Sequence, residues 1–321
     1  MSRVLVSGGG GFVGVPLLRQ LASTDWEIHA LYTRAHPAAP LGVRWHRVDL
    51  LDHAAVSELV DGLAPERLVH LAWCTEHGRF WSARENVIWV ELSLHLLRAF
   101  IRRGGQRLVM LGSCAEYDWS AAAAPLAECA SPLAPATLYG TAKDALRRLA
   151  SAYAEQQGVE LAWARLFFLY GPREAPGRLV PSVVRSLLAG QAVATRSTAH
   201  VRDFMHVEDV ARALVALLDS PVVGPVNIAS GAGVTIGHVV DQIVQVTGRP
   251  ELIRPGALPE RAGEPPRLVA DVARLQQAVG FQPRWDLADG LAATVRWWEE
   301  QDGDQDELYL CSDRALPRGR I

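Results

Sequence analysis

The sequence predicts an α/β protein: a doubly wound parallel sheet of the Rossmann type, followed by a smaller α/β region in the C-terminal half. Three observations predict it. A glycine cluster near the N-terminus falls between a short apolar run and a helical repeat. Short strand-like runs then alternate with helix-period segments, which makes the strands parallel and puts helices on both faces of the sheet. The chain has 321 residues, too many for one small core.

The opening stretch is Val4-Leu5-Val6-Ser7-Gly8-Gly9-Gly10-Gly11-Phe12-Val13-Gly14. Residues 4–6 read as the end of a buried strand, and residues 15–21 have helical spacing. Free N–H groups at such a helix start, with the positive end of the dipole, can hold a pyrophosphate. Gly8 permits a tight turn, Gly11 lets the backbone approach the phosphates, and Gly14 lets the helix pack closely. The spacing is Gly-x-x-Gly-x-x-Gly, not the Gly-x-Gly-x-x-Gly of the standard fingerprint. A plain glycine-rich turn is the bland alternative; the place between strand and helix favours a cofactor loop. Gly8, Gly11, Phe12, Val13 and Gly14 are its candidate contacts.

Residues 27–32 form the second strand by their branched and aromatic content. Its end meets the adenosine ribose in a nucleotide-binding unit. An acid there selects NAD, and a nearby arginine accommodates the 2′-phosphate of NADP. Here Thr33 and Arg34 follow Tyr32 with no acid, which points to NADP, with NAD as the alternative. Residues 43–48 are a third strand, leading to Asp49 and Leu50, placed to reach the adenine. Residues 54–63 are a helix. Residues 67–71 are a fourth strand, so Leu71, Ala72 and Trp73 lie at its cofactor end. Residues 86–103 are a long helix, apolar on more than one face and stopped by Gly104-Gly105. Residues 108–111 are a fifth strand. Ligands of such sheets bind beyond the carboxyl ends of the strands, where polar clusters fall at 7–14, 32–34, 73–81 and 112–119.

Of the 32 cations, only Lys143 is lysine. A compact ammonium on a flexible stem is not replaceable by guanidinium, so its retention marks a candidate site. Lys143 lies four residues after Tyr139, on one face of a helix running from 138 to about 157. An ammonium beside a phenol lowers the phenol pKa and lets it exchange a proton near neutrality. Ser113, at the end of the fifth strand, can hold a substrate oxygen. A Tyr/Lys pair at this spacing is most often a surface pair; the lone lysine and the strand-end serine argue for chemistry.

These residues resemble the extended short-chain dehydrogenase/reductase family of nucleotide-sugar epimerases, dehydratases and 4-ketoreductases. Ser7-Gly8-x-x-Gly11-Phe12-x-Gly14 is similar to its Thr-Gly-x-x-Gly-Phe/Tyr-x-Gly loop. His70-Leu71-Ala72, Asn86, Ser113 ahead of Tyr117, and Tyr139-x-x-x-Lys143 follow in its order. So do Arg165 to Pro172, Arg202-Asp203-Phe204-Met205-His206-Val207-x-Asp209, and Val226 to Gly231. The resemblance spans residues 2–298. It implies an NAD(P)-binding Rossmann-type domain over 1–165 with contributions from about 200–230. A nucleotide-sugar domain over 166–298 and a tail over 299–321 follow. It makes Ser113, Tyr139 and Lys143 catalytic, with Tyr139 and Lys143 also touching the cofactor. Ser113, Cys114, Phe168, Arg202 and Arg261 then face the substrate. It also implies a homodimer in which the helices at 86–103 and 139–157 pair across a two-fold axis.

The departures select among reactions. The family's sugar dehydratases carry Asp-Glu directly after the serine or threonine, where this chain has Cys114 and Ala115; Glu116 is one residue too late. Phe168 stands where the family often has a substrate-contacting asparagine. The expectation is therefore an NADP-dependent reductase acting at C4 of a nucleotide-linked 4-keto-6-deoxy sugar. A nucleotide-sugar 4-epimerase is the alternative, and a non-catalytic NADP-binding regulator is the reading from another class.

In the second half, residues 179–189, 207–218, 236–246 and 287–298 read as helices. Net charge is -3 with 49% hydrophobic residues, which gives no reason to expect nucleic acid or an anionic membrane. No apolar run approaches the roughly 20 residues of a membrane span. The four cysteines lack metal-ligand spacing, so no metal is expected. A strand directly at the N-terminus leaves no signal peptide, so a cytoplasmic location is the expectation.

Overall fold

The computed structural model describes residues 2–33, 42–121, 125–196, 198–259 and 264–301. Strands β1 (Arg3–Ser7), β2 (Glu27–Tyr32), β3 (Val43–Arg47), β4 (Arg67–His70), β5 (Arg107–Ser113) and β6 (Glu160–Leu166) come first. Between them lie helices α1 (Gly14–Leu21), α2 (His53–Leu63), α3 (Glu85–Arg102) and α4 (Leu138–Gln156). The second half adds β7 (Phe168–Tyr170), α5 (Leu179–Leu188), β8 (Val193–Ala194), β9 (Val201–His206), α6 (Val207–Asp219) and β10 (Gly224–Ile228). It ends with β11 (Gly233–Thr235), α7 (Ile236–Thr247), β12 (Ile253–Arg254), β13 (Arg267–Leu268), α8 (Ala273–Gln277) and α9 (Leu287–Glu300).

The main sheet has the order β10-β6-β5-β4-β1-β2-β3, and every pairing in it is parallel. The chain starts in the middle with β1, goes out through β2 and β3, and returns to β4 on the other side. A crevice opens at that reversal, beyond the ends of β1 and β4. Alternating side chains build the layers. Val4 and Val6 of β1, with Val109 and Leu111 of β5, pack under Leu17, Leu18 and Leu21 of α1 and Leu214 and Leu217 of α6. Leu5, Leu108 and Met110 point the other way, to Leu92, Leu96 and Phe100 of α3 and Leu146 and Ala150 of α4. A separate cluster joins α5, α7 and α9 through Val184, Leu187, Val240, Ile243, Leu291 and Val295.

Expected elements and observed ones differ mostly by a residue or two at their ends. β5 differs more, because it continues through Gly112 to Ser113. Its register with β6 runs from Arg107↔Glu160 to Ser113↔Leu166. Glycine reads as a strand end, but here a Cβ would lie 2.1 Å from Trp163 Nε1. The glycine lets the strand pass under a buried tryptophan.

β9 organises the smaller sheet. It pairs parallel with β7 and β13 and antiparallel with β11. Buried Asp203 on β9 accepts hydrogen bonds from the amides of Ser230, Gly231 and Ala270. Three chain segments are thereby tied to one strand beside the carboxyl edge of the main sheet.

Candidate active site

The glycine loop is shaped by close approach. Gly8 has φ +73°, and a Cβ on it would lie 2.9 Å from the Ala72 nitrogen. A Cβ on Gly14 would lie 2.2 Å from the Gly8 oxygen, so it is the loop, more than the strand, that α1 packs against. A Cβ on Gly11 would touch only that same oxygen, at 3.3 Å, which leaves its outer side open. The first N–H groups of α1 have no intrahelical partner. An open glycine side facing a helix start fits a dinucleotide pyrophosphate.

Below this loop a polar chain joins β1, β4 and α3. Ser7 Oγ lies 2.6 Å from His70 Nδ1, and His70 Nε2 lies 2.8 Å from Ser93 Oγ. Burial pushes His70 down to about 3, with Lys143 acting the same way, so the ring is neutral. Leu71, Ala72 and Trp73 follow His70, half-buried at the crevice. The Trp73 indole donates to Asn86 Oδ1 at 2.9 Å, and Asn86 Nδ2 donates to the carbonyls of Phe80 and Ala83. Asn86 thus holds the whole 73–83 segment against α3.

Thr33 is exposed at the end of β2. Arg34 lies outside the described residues, as does Arg261. Asp49 is exposed and accepts from the Leu51 amide, while Leu50 is buried in the α2/α3 layer. Leu50 therefore meets the core rather than lying open at the surface.

Ser113, Tyr139 and Lys143 converge. Ser113 caps a 3-10 turn, Cys114–Glu116, and its Oγ accepts from the Ala115 amide at 3.2 Å, which leaves its own hydrogen to donate. Gly140 brings α4 onto that turn, since a Cβ there would meet the Ala115 oxygen at 2.2 Å. Tyr139 is enclosed by aromatic edges: Phe80 at 4.9 Å, Trp81 at 5.7 Å and Trp73 at 6.3 Å. Burial pushes its phenol up to about 12, and the Ser113 hydroxyl works in the opposite direction. The phenol is thus the protonated form at neutral pH.

Here the structure differs from the expectation that Lys143 would draw the phenol down. The Lys143 ammonium donates to the Leu111 carbonyl at 2.8 Å and sits 3.6 Å from the Trp73 ring centroid. Burial pushes it down to about 7, with Glu116 opposing. A half-neutral amine drawn into a carbonyl and a ring cannot dominate the phenol's titration.

Glu116 is fully buried and away from the substrate side. It accepts from the Ser113 amide at 2.7 Å, from Trp163 Nε1 at 2.9 Å and from Arg165 Nε at 2.8 Å. Tyr117 belongs to the same network: its hydroxyl donates to Asn227 Oδ1 at 2.8 Å and accepts from Arg165. Cys114 is buried, and burial pushes its thiol up to about 12.

Phe168 on β7 stands opposite Phe204 on β9. The Arg202 guanidinium lies 5.5 Å from the Phe168 ring and donates to Glu264 at 2.9 Å. Arg202 is therefore placed beside Phe168 as expected, with an acid partner that its motif did not announce. The candidates named from the sequence do not include Phe80, Trp81, Trp119, Glu174 or Arg178. Arg178 Cζ lies 5.0 Å from the Phe80 ring, and the guanidinium donates to the Thr75 carbonyl at 3.3 Å. Glu174 is buried, its Oε2 has no hydrogen-bond partner, and burial pushes it up to about 8 against the pull of Arg178. The density of tryptophans is the one sequence signal that points here. Among the described residues no cluster of three or more His, Cys, Asp or Glu could hold a metal, and no helix is long and apolar enough to cross a membrane.

Fold, glycine loop and the convergent Ser/Tyr/Lys set place the chain among the dinucleotide-binding short-chain dehydrogenases/reductases. It belongs to the NAD dependent epimerase/dehydratase family, whose profile matches residues 4–229. A dTDP-4-dehydro-6-deoxy-D-allose reductase of Streptomyces bikiniensis is 30% identical over 327 residues, 92% of this chain and 95% of that protein. A dTDP-glucose 4,6-dehydratase of Streptomyces niveus is 28% identical, covering 93% of each chain. Among solved structures, the UDP-glucose 4-epimerase of Thermus thermophilus in complex with NAD is similar, with a TM-score of 0.80 at 27% identity, over 92% of this chain and 99% of that one.

Proposed function

We propose that this enzyme of nucleotide-sugar modification is an NADP-dependent 4-ketoreductase, reducing a nucleotide-linked 4-keto-6-deoxy sugar at C4. The observation that carries the reading is the protonation state of Tyr139. Reduction needs a proton donor when substrate arrives; epimerisation and dehydration begin by oxidising an alcohol and need a proton acceptor. A phenol pushed up to about 12 by burial is a donor. The absence of Asp-Glu after Ser113 supports the same reading, because Cys114 is a buried thiol and Glu116 is consumed by Arg165 and Trp163. A reductase relative at 30% identity agrees with it.

When bound, the reduced nicotinamide supplies the hydride. Tyr139 gives its proton to the C4 oxygen as charge develops there. Ser113 donates a hydrogen bond to that oxygen from the end of β5. Lys143 lies one helical turn from Tyr139, and its spare N–H groups can hold the cofactor ribose. Its pKa near 7 suits it to return a proton to Tyr139 after turnover. Arg202 and Arg261 are proposed to hold the diphosphate.

The test mixes the protein with NADPH and a panel of nucleotide-linked 4-keto sugars and follows absorbance of the reduced nicotinamide. Oxidation of one NADPH per sugar reduced is expected. Sugar interconversion without net NADPH oxidation would replace this reading by the 4-epimerase, which shares the three residues and has an NAD-bound relative. For cofactor choice, Arg34→Asp is expected to weaken NADPH far more than NADH; equal binding of both by the parent protein contradicts NADP.

A further inference from the structure

The aromatic side chains around Tyr139 are not equivalent. Trp73 is committed: its indole nitrogen goes to Asn86 and its face covers the Lys143 ammonium. Phe80 is committed too, buried against Tyr139 with the Arg178 guanidinium over its ring. Trp81 and Trp119 remain half-buried, edge to face at 5.9 Å and 82°. The only polar side-chain atom of Trp119, Nε1, donates inward to the Cys114 carbonyl at 2.9 Å. What Trp119 offers outward is carbon. Trp81 is held by its own carbonyl, which accepts from the Tyr139 amide at 3.1 Å, and its ring centroid lies 5.7 Å from that of Tyr139. An apolar corner therefore stands directly beside the proton donor.

We propose that Trp81 and Trp119 form the subsite for a deoxygenated carbon of the sugar, its C6 methyl, and so make the enzyme select 6-deoxy sugars against their 6-hydroxy counterparts. The inference rests on the reading that Tyr139 acts at C4 of a nucleotide sugar. C6 is then two bonds from the reacting carbon, within reach of rings that touch Tyr139. A methyl group there gains contact with carbon; a hydroxymethyl group brings an oxygen that Trp119 cannot pair, because its N–H is already used. An apolar pocket rejects an added hydroxyl only moderately, so a preference of about 10–100-fold is expected.

The test is binding, by calorimetry, of dTDP-6-deoxyglucose and dTDP-glucose to the NADPH-loaded protein, repeated with the matching UDP pair. These sugars carry an alcohol at C4, so NADPH cannot reduce them. Preference for the 6-deoxy sugar of about tenfold or more, falling below about threefold in Trp81→Ala or Trp119→Ala with NADPH affinity retained, is expected. Equal affinity of the two sugars for the parent protein overturns the subsite, and that measurement needs no variant to fold. A preference that persists in both variants also overturns it. Binding of neither nucleotide sugar in either pair overturns the proposed function, and this inference with it.

Discussion

Tyr139→Phe removes one oxygen and leaves a ring that still packs against Phe80 and Trp81. Folding and cofactor binding are expected to survive, while kcat falls roughly 10²–10⁴-fold, the range for a lost general acid. Lys143→Met is expected to lower both kcat and cofactor affinity. Steady-state rates and NADPH titrations separate the two, and turnover of Tyr139→Phe within about twofold of the parent would remove the acid assignment. Lys143 also sets a pH dependence. Its pKa is lowered from 10.5 to about 7, so between those values the unfolded chain carries a proton that the folded chain has released. Stability then rises with pH across that window, by about 1.4 kcal/mol per pH unit at most. Below it, the folded chain must bury the charge. The unfolding free energy of the parent is expected to gain on that of Lys143→Met between pH 7 and pH 9 in urea titrations. A constant difference between them would contradict the burial.

At the scale of elements, the glycine loop separates two roles that the sequence presents as one motif. Gly11→Ala adds a methyl that meets only the Gly8 oxygen, at 3.3 Å. The fold is expected to tolerate it and the thermal midpoint to stay near the parent's, while NADPH binding is lost. Gly14→Ala drives a methyl into the Gly8 carbonyl at 2.2 Å and is expected to lose both. Scanning calorimetry with and without NADPH checks the contrast; equal loss of stability in both variants would refute it. The turn after β5 is a second such element. Glu116→Gln leaves the Arg165 guanidinium buried without a counter-charge, and breaking a buried pair costs about 3–5 kcal/mol. Urea unfolding is expected to show a loss of that order, whereas substitution of exposed Arg44, paired at the surface with Glu27, moves it by about 1 kcal/mol or less. Most of these elements are legible from period and punctuation. β5 reads short because Gly112 resembles a terminator, and only its partner strand carries the ladder onward.

For the whole molecule, the question is what covers α3 and α4. Both bury one face in the sheet layer, yet Val87 on α3 is 62% exposed and Leu149 on α4 is 54% exposed. Apolar residues on the outer side of two adjacent helices support the proposal that these helices pair with their copies across a two-fold axis. Val87→Glu with Leu149→Glu is expected to convert a dimer into a monomer in sedimentation at micromolar concentration, with little change in the far-ultraviolet circular dichroism. A parent protein that already sediments as a monomer would end this proposal.

What the sequence determined alone is what local chemistry controls. Glycine spacing, strand and helix periods, and residue pairs one helical turn apart are properties of neighbouring residues, so the parallel sheet, its cofactor loop and the Tyr139/Lys143 face were readable directly. Protonation and access were decided only by the tertiary structure. The Tyr139 phenol is high because Phe80, Trp81 and Trp73, from a distant loop, strip water from it. Lys143 is low because it is drawn under Trp73 to the Leu111 carbonyl. Glu116, one residue from the position where the family's dehydratases hold an acid, is turned into the core by Arg165 and Trp163 of the adjacent strand β6. Desolvation depends on what the fold packs around a group, and those neighbours are remote in the chain.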